Sequence, residues 1–349
     1  MYIVEIGAGT GKFAFLFLRK LFSDHADLLP PGLKVKYIIT VRTSVLERES
    51  YICGATSNDE IHQLDSRDIN QSSNIQDFVE QNVEFWRKSP HFQYYSEQGF
   101  VDFATFDAMN SRELKLRVSG ATLTSVDFAN PLIVLANYVI DSLLTDAFSV
   151  VNGELHEVLL SVKCEADVSE RGFLEEALSS SGHWWTTRAL QVAAGTDGGG
   201  GGGSSDSIDY YSDSVDSRLN AILAYYYAEF RKQGRDGTFM MPVGAASLIR
   251  NLMALSNERL LMVCADKATI NFSELCVVDV PDVYLHGGAC FSFTANFHAI
   301  AKYFELLGGF AIHCNQESPA LPVSLFFATK LPEVCERVSE SGRAGVPLD

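Results

Sequence analysis

The stretch Tyr2-Ile3-Val4-Glu5-Ile6-Gly7-Ala8-Gly9-Thr10-Gly11-Lys12 constrains this chain more than any other. A β-branched apolar run stops at three alternating glycines, and Phe13 to Phe22 then has helical periodicity. The pattern predicts a strand, a tight glycine turn and a helix N-terminus, whose backbone N–H groups suit an anionic or nucleotide-like ligand. Spacing excludes two familiar nucleotide loops. A phosphate loop, G-x-x-x-x-G-K-[ST], needs Gly where Ile6 stands and Ser or Thr where Phe13 stands. A dinucleotide fingerprint, G-x-G-x-x-G, needs its third Gly one residue later than Gly11. What remains is E-x-G-x-G-x-G, with a plain structural turn that holds no ligand as the alternative.

A chain of 349 residues can bury a large core in one elaborated domain or two. Its net charge of −17 argues against DNA or RNA as the main partner and favours a basic one. No apolar run approaches the roughly 20 residues that span a bilayer. The longest, Pro131 to Val139, is of strand length and is broken by Asn137. Seven cysteines (Cys53, Cys164, Cys264, Cys276, Cys290, Cys314 and Cys335) form no C-x-x-C pair, which suits reduced thiols and argues against zinc. Met1 lies directly against the first strand, so the expectation is a truncated N-terminus, with any targeting segment missing as well.

Taken in order, Val35 to Thr40 predicts a second buried strand. The pattern then lapses over residues 41–76, and Phe78 to Lys88 resumes it as a helix. Thr40 joined directly to Asp77 would give a strand running into an acidic residue and a helix, so 41–76 reads as an insertion. Two explanations stand: a surface loop, or a retained intron, since every Val codon begins GT, Gln76 can be CAG, and 36 codons keep the frame. Val101 to Phe106 predicts a third strand, ending at Asp107. Leu132 to Ala136 predicts a fourth, delivering Asn137, Tyr138 and Asp141 at its carboxyl end, where open α/β sheets place their ligand crevice. An amide and a carboxylate there could orient a reacting amine; Asp141 as a simple helix cap is the other reading.

Asn152-Gly153 predicts a hairpin between Phe148–Val151 and Glu154–Val162. A helical patch is expected around Glu170 to Leu190, then a disordered Gly-rich loop at 195–207. Val215–Lys232 and Gly244–Leu255 have helical spacing; the aromatic face of the first suits packing better than base stacking. Arg259 to Ala265 predicts a fifth strand ending in Asp266. Asn296 to Leu307 is expected as a helix closed by Gly308-Gly309, and Phe310–Cys314 with Val323–Thr329 as an antiparallel edge pair. The division expected is an α/β domain from 1–147 and 259–330, a helical and hairpin elaboration at 148–258 lying over the crevice, and a tail at 331–349.

With these blocks placed, VEIGAGTGKFA resembles motif I of class I S-adenosylmethionine methyltransferases, whose fold is a Rossmann-like seven-stranded sheet. Together with LIVLANYVIDSLLTDAF, LHEVLLSV and SFTANFHAIAKYFELLGG, it makes the chain similar to the MidA-like methyltransferase family, relatives of the mitochondrial methyltransferase that helps assemble respiratory complex I. The likeness covers most of 2–40, 77–162 and 240–330. Tyr138 stands where the family has Glu, Leu144-Thr145 replaces a Leu-Pro turn, and Lys267 stands where a Tyr often follows the Asp.

The resemblance implies an enzyme that transfers methyl from S-adenosyl-L-methionine to a nitrogen of a protein, in the cytoplasm or mitochondria. Glu5, Gly7, Ala8, Gly9, Thr10, Gly11 and Asn137 would bind the cofactor, with Asp77, in the joined reading, on its ribose and Asp107 near its adenine. Asn137 and Asp141 would serve catalysis. Two other readings stay open: a non-catalytic assembly or scaffold protein that keeps the fold, and a nicotinamide oxidoreductase, which the glycine spacing disfavours.

Overall fold

The computed structural model describes residues 1–42, 71–163, 182–190, 208–276, 281, 283–286, 290–314 and 321–330. Its main strands, leaving aside three small two-stranded pairs, begin with β1 (Tyr2–Ile6), β2 (Lys36–Arg42), β3 (Val101–Phe106) and β4 (Leu132–Asn137). Next come β5 (Asp146–Val151), β6 (Glu154–Lys163), β7 (Gly182–Ala189) and β8 (Gly237–Met241). The last three are β9 (Arg259–Ala265), β10 (Phe310–His313) and β11 (Val323–Thr329). The main helices are α1 (Lys12–Arg19), α2 (Gln71–Lys88), α3 (Pro90–Glu97), α4 (Arg218–Gln233), α5 (Val243–Leu255) and α6 (Phe297–Leu306).

Seven strands form one sheet in the order β10-β11-β9-β4-β1-β2-β3. Counted along the chain within that sheet, the order is 6-7-5-4-1-2-3. β1 lies parallel between β2 and β4, with Val4 opposite both Ile38 and Val134; β2 is parallel to β3, and β10 antiparallel to β11. This is the Rossmann-like seven-stranded sheet the sequence predicts. Strands buried on both faces read as near-continuous apolar runs, and Ile3, Val4 and Ile6 of β1 are all inside. The strand order reverses at β1, which makes the carboxyl ends of β1 and β4 the natural ligand crevice of such a sheet.

Packing divides the chain into two units, Met1–Asn137 with Leu248–Met262, and Tyr138–Ser247 with Val263–Asp349. In the first, Phe103 of β3 stacks on Trp86 of α2 and meets Phe92 of α3 edge-on. Buried Asp102 accepts the N–H groups of Val118 and Ser119 at 2.8 and 3.2 Å, which fastens the chain beyond β3.

In the second unit a four-stranded sheet runs β8-β5-β6-β7. Asn152 and Gly153 close its predicted hairpin with φ of 51° and 78°, the conformation that matches strand twist in a two-residue loop. Phe239 of β8 stacks against Phe148 of β5 and against Tyr226 and Phe230 of α4, so the aromatic face of α4 is core.

Two expectations are corrected here. Residues 182–189, expected within a helical patch, are strand β7, paired antiparallel with β6 from His156↔Ala189 to Lys163↔Gly182. Cross-strand pairing along β6 outweighs the weak helical spacing of this segment. The elaboration is also richer in strand than expected, because β8 joins the hairpin as a further strand. The Gly-rich loop at 195–207, the tail at 331–349 and residues 43–70 of the expected insertion lie outside the described residues. The remainder of that insertion is ordinary structure: Val41 and Arg42 finish β2, and residues 71–76 begin α2.

Candidate functional site

The turn after β1 is built from left-handed backbone. Gly7, Gly9 and Gly11 have φ of 66°, 55° and 75°, a region where a side chain strains the backbone and glycine does not. Two hydrogen bonds shape the turn: Ala8 N–H donates to the Thr40 carbonyl at 3.0 Å, and Gly11 N–H to the Ala8 carbonyl at 2.9 Å. The first ties the turn to the carboxyl end of β2. Gly9 and Thr10 are exposed, and a Cβ added at Gly9 would have nothing within 4 Å. Gly11 is the opposite case. A Cβ there would sit 3.1 Å from the Trp86 indole nitrogen and 3.2 Å from Phe92. The turn therefore has a packed floor and an open upper side.

α1 starts directly from Gly11, and no side chain caps its N-terminus. Uncapped N–H groups together with the helix dipole attract an anionic group. Glu5 lies beneath, buried in the sheet, and accepts a hydrogen bond from the Tyr37 hydroxyl at 2.8 Å. Burial pushes its pKa up to about 7, against the Tyr37 hydroxyl, which favours the charged form. Glu5 thus links β1 to β2.

The register sets Ile6 opposite Ala136, so Gly7 and Asn137 leave neighbouring strands at the same level. The structure therefore brings together Gly7 to Gly11, the carboxyl end of β2 and Asn137. Asp107, directly after β3, spends its carboxylate on its own turn: it accepts the Met109 N–H at 2.8 Å and the Asn110 amide at 3.0 Å. Asp77 stands inside α2, the seventh residue of a helix that begins at Gln71, and its side chain is outside what is described.

The second unit holds Tyr138 and Asp141. Tyr138 adopts φ of 53° without being glycine, and the residue is 57% exposed. Asp141 lies within a single 3-10 turn, Ile140–Ser142, that has no side-chain cap, so it does not act as the helix cap the sequence allowed. What organises this segment is Asp266, a fully buried carboxylate just beyond β9. Its Oδ2 accepts three successive backbone N–H groups, from Val139 at 3.1 Å, Ile140 at 2.9 Å and Asp141 at 3.2 Å. Its Oδ1 accepts the Lys267 N–H at 2.8 Å. Burial and the neighbouring Asp141 carboxylate push the Asp266 pKa up to about 7, while the backbone donors pull the other way.

Asp141 also lines a small open cleft with Ile140, Leu144, Thr145, Phe293 and Asn296. Asn296 is tied up, donating to the Met240 carbonyl at 2.9 Å and accepting the Ala299 N–H at 2.9 Å. Asp141 is the charged group on that wall. Sequence reasoning missed the part played by Asp266, although an acidic residue closing the fifth strand was a visible signal.

Among the described residues no group of three or more His, Cys, Asp or Glu side chains could hold a metal ion. Nor is any described helix long and apolar enough to cross a membrane.

No protein-family model matches the chain, and no curated protein matches it in sequence. Among solved structures, a COG1565 superfamily member from Burkholderia thailandensis bound to S-adenosyl-homocysteine is 12% identical, with a TM-score of 0.40 over 89% of this chain and 57% of that one. An uncharacterized COG1565 superfamily protein from the same organism is 11% identical, with a TM-score of 0.44 over 93% of this chain and 73% of that one. The chain thus spans little more than half the length of the first. The fold assignment rests on the strand order itself.

Proposed function

We propose that the chain is an S-adenosyl-L-methionine-dependent methyltransferase that methylates a nitrogen of a protein. One observation carries the cofactor reading: an open, glycine-built turn at the switch point of a 6-7-5-4-1-2-3 sheet, running into an uncapped helix. The open side at Gly9 leaves room for a ligand against the backbone, and the N-terminus of α1 suits a carboxylate such as that of the cofactor's methionine part. Gly7, Ala8, Gly9, Thr10 and Gly11 would hold that part; Asp77, on α2 and not at a strand end, is the candidate for the ribose, and Asp107, whose two carboxylate oxygens each keep a lone pair beyond the turn's hydrogen bonds, for the adenine.

The cofactor's sulfonium supplies an electrophilic methyl group. The chain's own residues then have to orient the acceptor and exclude water. Asn137 and Asp141, four residues apart, serve as amide acceptor and carboxylate for the nitrogen's hydrogens. Transfer would break the cofactor's sulfur–methyl bond as the nitrogen–methyl bond forms, leaving a neutral thioether, and Asp141 would take the proton that the nitrogen loses. A carboxylate near a second, buried carboxylate favours a basic acceptor, and so does the net charge of −17.

Transfer of label from S-adenosylmethionine into a lysate from cells lacking the enzyme tests the acceptor class. Label in protein bands is expected, with Asp141→Ala lowering turnover about a hundredfold at unchanged cofactor affinity. Label confined to small molecules or RNA rejects a protein acceptor, and full turnover by Asp141→Ala removes its role.

A further inference from the structure

A buried carboxylate must be satisfied by donors, because desolvation of an unpaired charge is prohibitive. Asp266 meets that demand with backbone N–H groups, three of them consecutive and all converging on one oxygen. Three successive N–H groups point to one spot only when the backbone is wound in a particular way, and the wound segment follows a residue in the left-handed region, Tyr138. Nothing in Tyr138 itself favours that conformation. It is neither Gly nor Asn, and its ring is mostly in solvent, so packing of the side chain does not hold it.

Two further bonds fix the segment in place. Tyr138 N–H donates to the Ala265 carbonyl at 2.9 Å, and Asp266 N–H to the Pro322 carbonyl at 3.4 Å. The Asp141 N–H is the last of the three donors to Oδ2, so the direction in which Asp141 leaves the turn depends on Asp266. The 3-10 turn at Ile140–Ser142 is too short and too poorly capped to set that direction.

We propose that Asp266 is the positioning residue of this turn: it holds the left-handed backbone at Tyr138 and thereby aims the Asp141 carboxylate at the acceptor. The aiming role rests on the methyl-transfer reading above; the holding role does not. Asp266 touches neither acceptor nor cofactor in this scheme and acts only through Asp141. An amide in its place has the same outline but no charge, and it cannot serve both the three N–H groups and the Lys267 N–H with oxygen lone pairs.

The experiment is residue-resolved hydrogen exchange on the full chain, wild type against Asp266→Asn. Label transfer from S-adenosylmethionine into lysate protein, and cofactor affinity, are measured on the same samples. Exchange at the amides of Val139, Ile140 and Asp141 is expected to rise about tenfold or more, while Ile38 and Val134 in the sheet stay protected. Transfer per folded molecule is expected to fall about tenfold or more, with the cofactor Kd within about twofold of wild type. A residue that only supported the fold would instead leave turnover per folded molecule unchanged. Unaltered exchange at the three amides overturns the proposal, and so does full transfer by a variant whose amides have come loose. If the wild type transfers no label, the methyltransferase reading fails by itself, and the exchange result still decides whether Asp266 holds the turn. If Asp266→Asn does not fold, the wild type decides: the three amides must be as protected as the sheet, and free exchange there overturns the claim.

Discussion

The turn after β1 and the turn after β4 both pass through left-handed backbone, and they reach it by opposite means. After β1, three glycines adopt φ between 55° and 75° with no steric penalty, and the turn is open at Gly9. After β4, a tyrosine takes φ of 53° because a buried carboxylate collects the N–H groups that follow it. The first is a local property of its own residues. The second is imposed from more than a hundred residues away, and it stores strain where the chain presents an ionisable group. A glycine turn suits a place that must let a ligand approach the backbone; an enforced turn suits a side chain that must point one way.

The contrast breaks most sharply at Asp266. Asp266→Ala leaves four backbone N–H groups, two of them buried, without their acceptor and is expected to lower stability by about 3 kcal/mol, read as a shift of the denaturant midpoint. No change would mean that the turn holds itself.

Glu5 under the glycine turn offers a test by pH. Its pKa is raised on folding from 4.5 to about 7, so the folded chain binds that proton more tightly than the unfolded one. The stabilisation is fully present below about pH 4.5 and is lost as pH rises through about 7. Glu5→Gln should therefore be more stable than wild type by about 2 kcal/mol at pH 8 and nearly equal to it at pH 5. Asp266 titrates in the same sense, so the variant keeps part of the slope. A flat difference between pH 5 and 8 would show that Glu5 is not held away from water.

Smaller effects separate the two turns further. Gly11→Ala forces a side chain to φ of 75° and against Trp86 and Phe92, and is expected to lower stability by about 1–2 kcal/mol. Tyr138→Asn, which tolerates left-handed backbone, should raise stability by about 0.5 kcal/mol, because the ring it removes is mostly exposed. A loss on that substitution would show that the ring, and not Asp266, holds the turn.

The same contrast explains what could be read from the sequence. The glycine turn, the five strands and the closing edge pair were legible because apolar runs bounded by turn residues carry their signal locally. The role of Asp266 was not, because its partners lie 125 to 127 residues away along the chain. β7 was misread because its state is set by pairing with β6, and β8 passed unnoticed as five residues, GTFMM, between two helices. α2 begins at Gln71, in a stretch of Ser, Asn and Gln with no apolar stripe, so its first turns looked like loop and Asp77 looked like a strand end. Asn137 was placed correctly at the end of β4 because the strand stops where its apolar run stops.

Titration calorimetry on wild type and Gly9→Arg decides whether the Gly7–Gly11 turn binds S-adenosylmethionine. A Kd of roughly micromolar order is expected for wild type. Gly9→Arg is expected to give no measurable heat, with circular dichroism and the unfolding midpoint showing a folded protein, since the new side chain fills the open side of the turn. A folded wild type that gives no heat with the cofactor, or a Gly9→Arg that binds as well as wild type, would contradict binding at this turn.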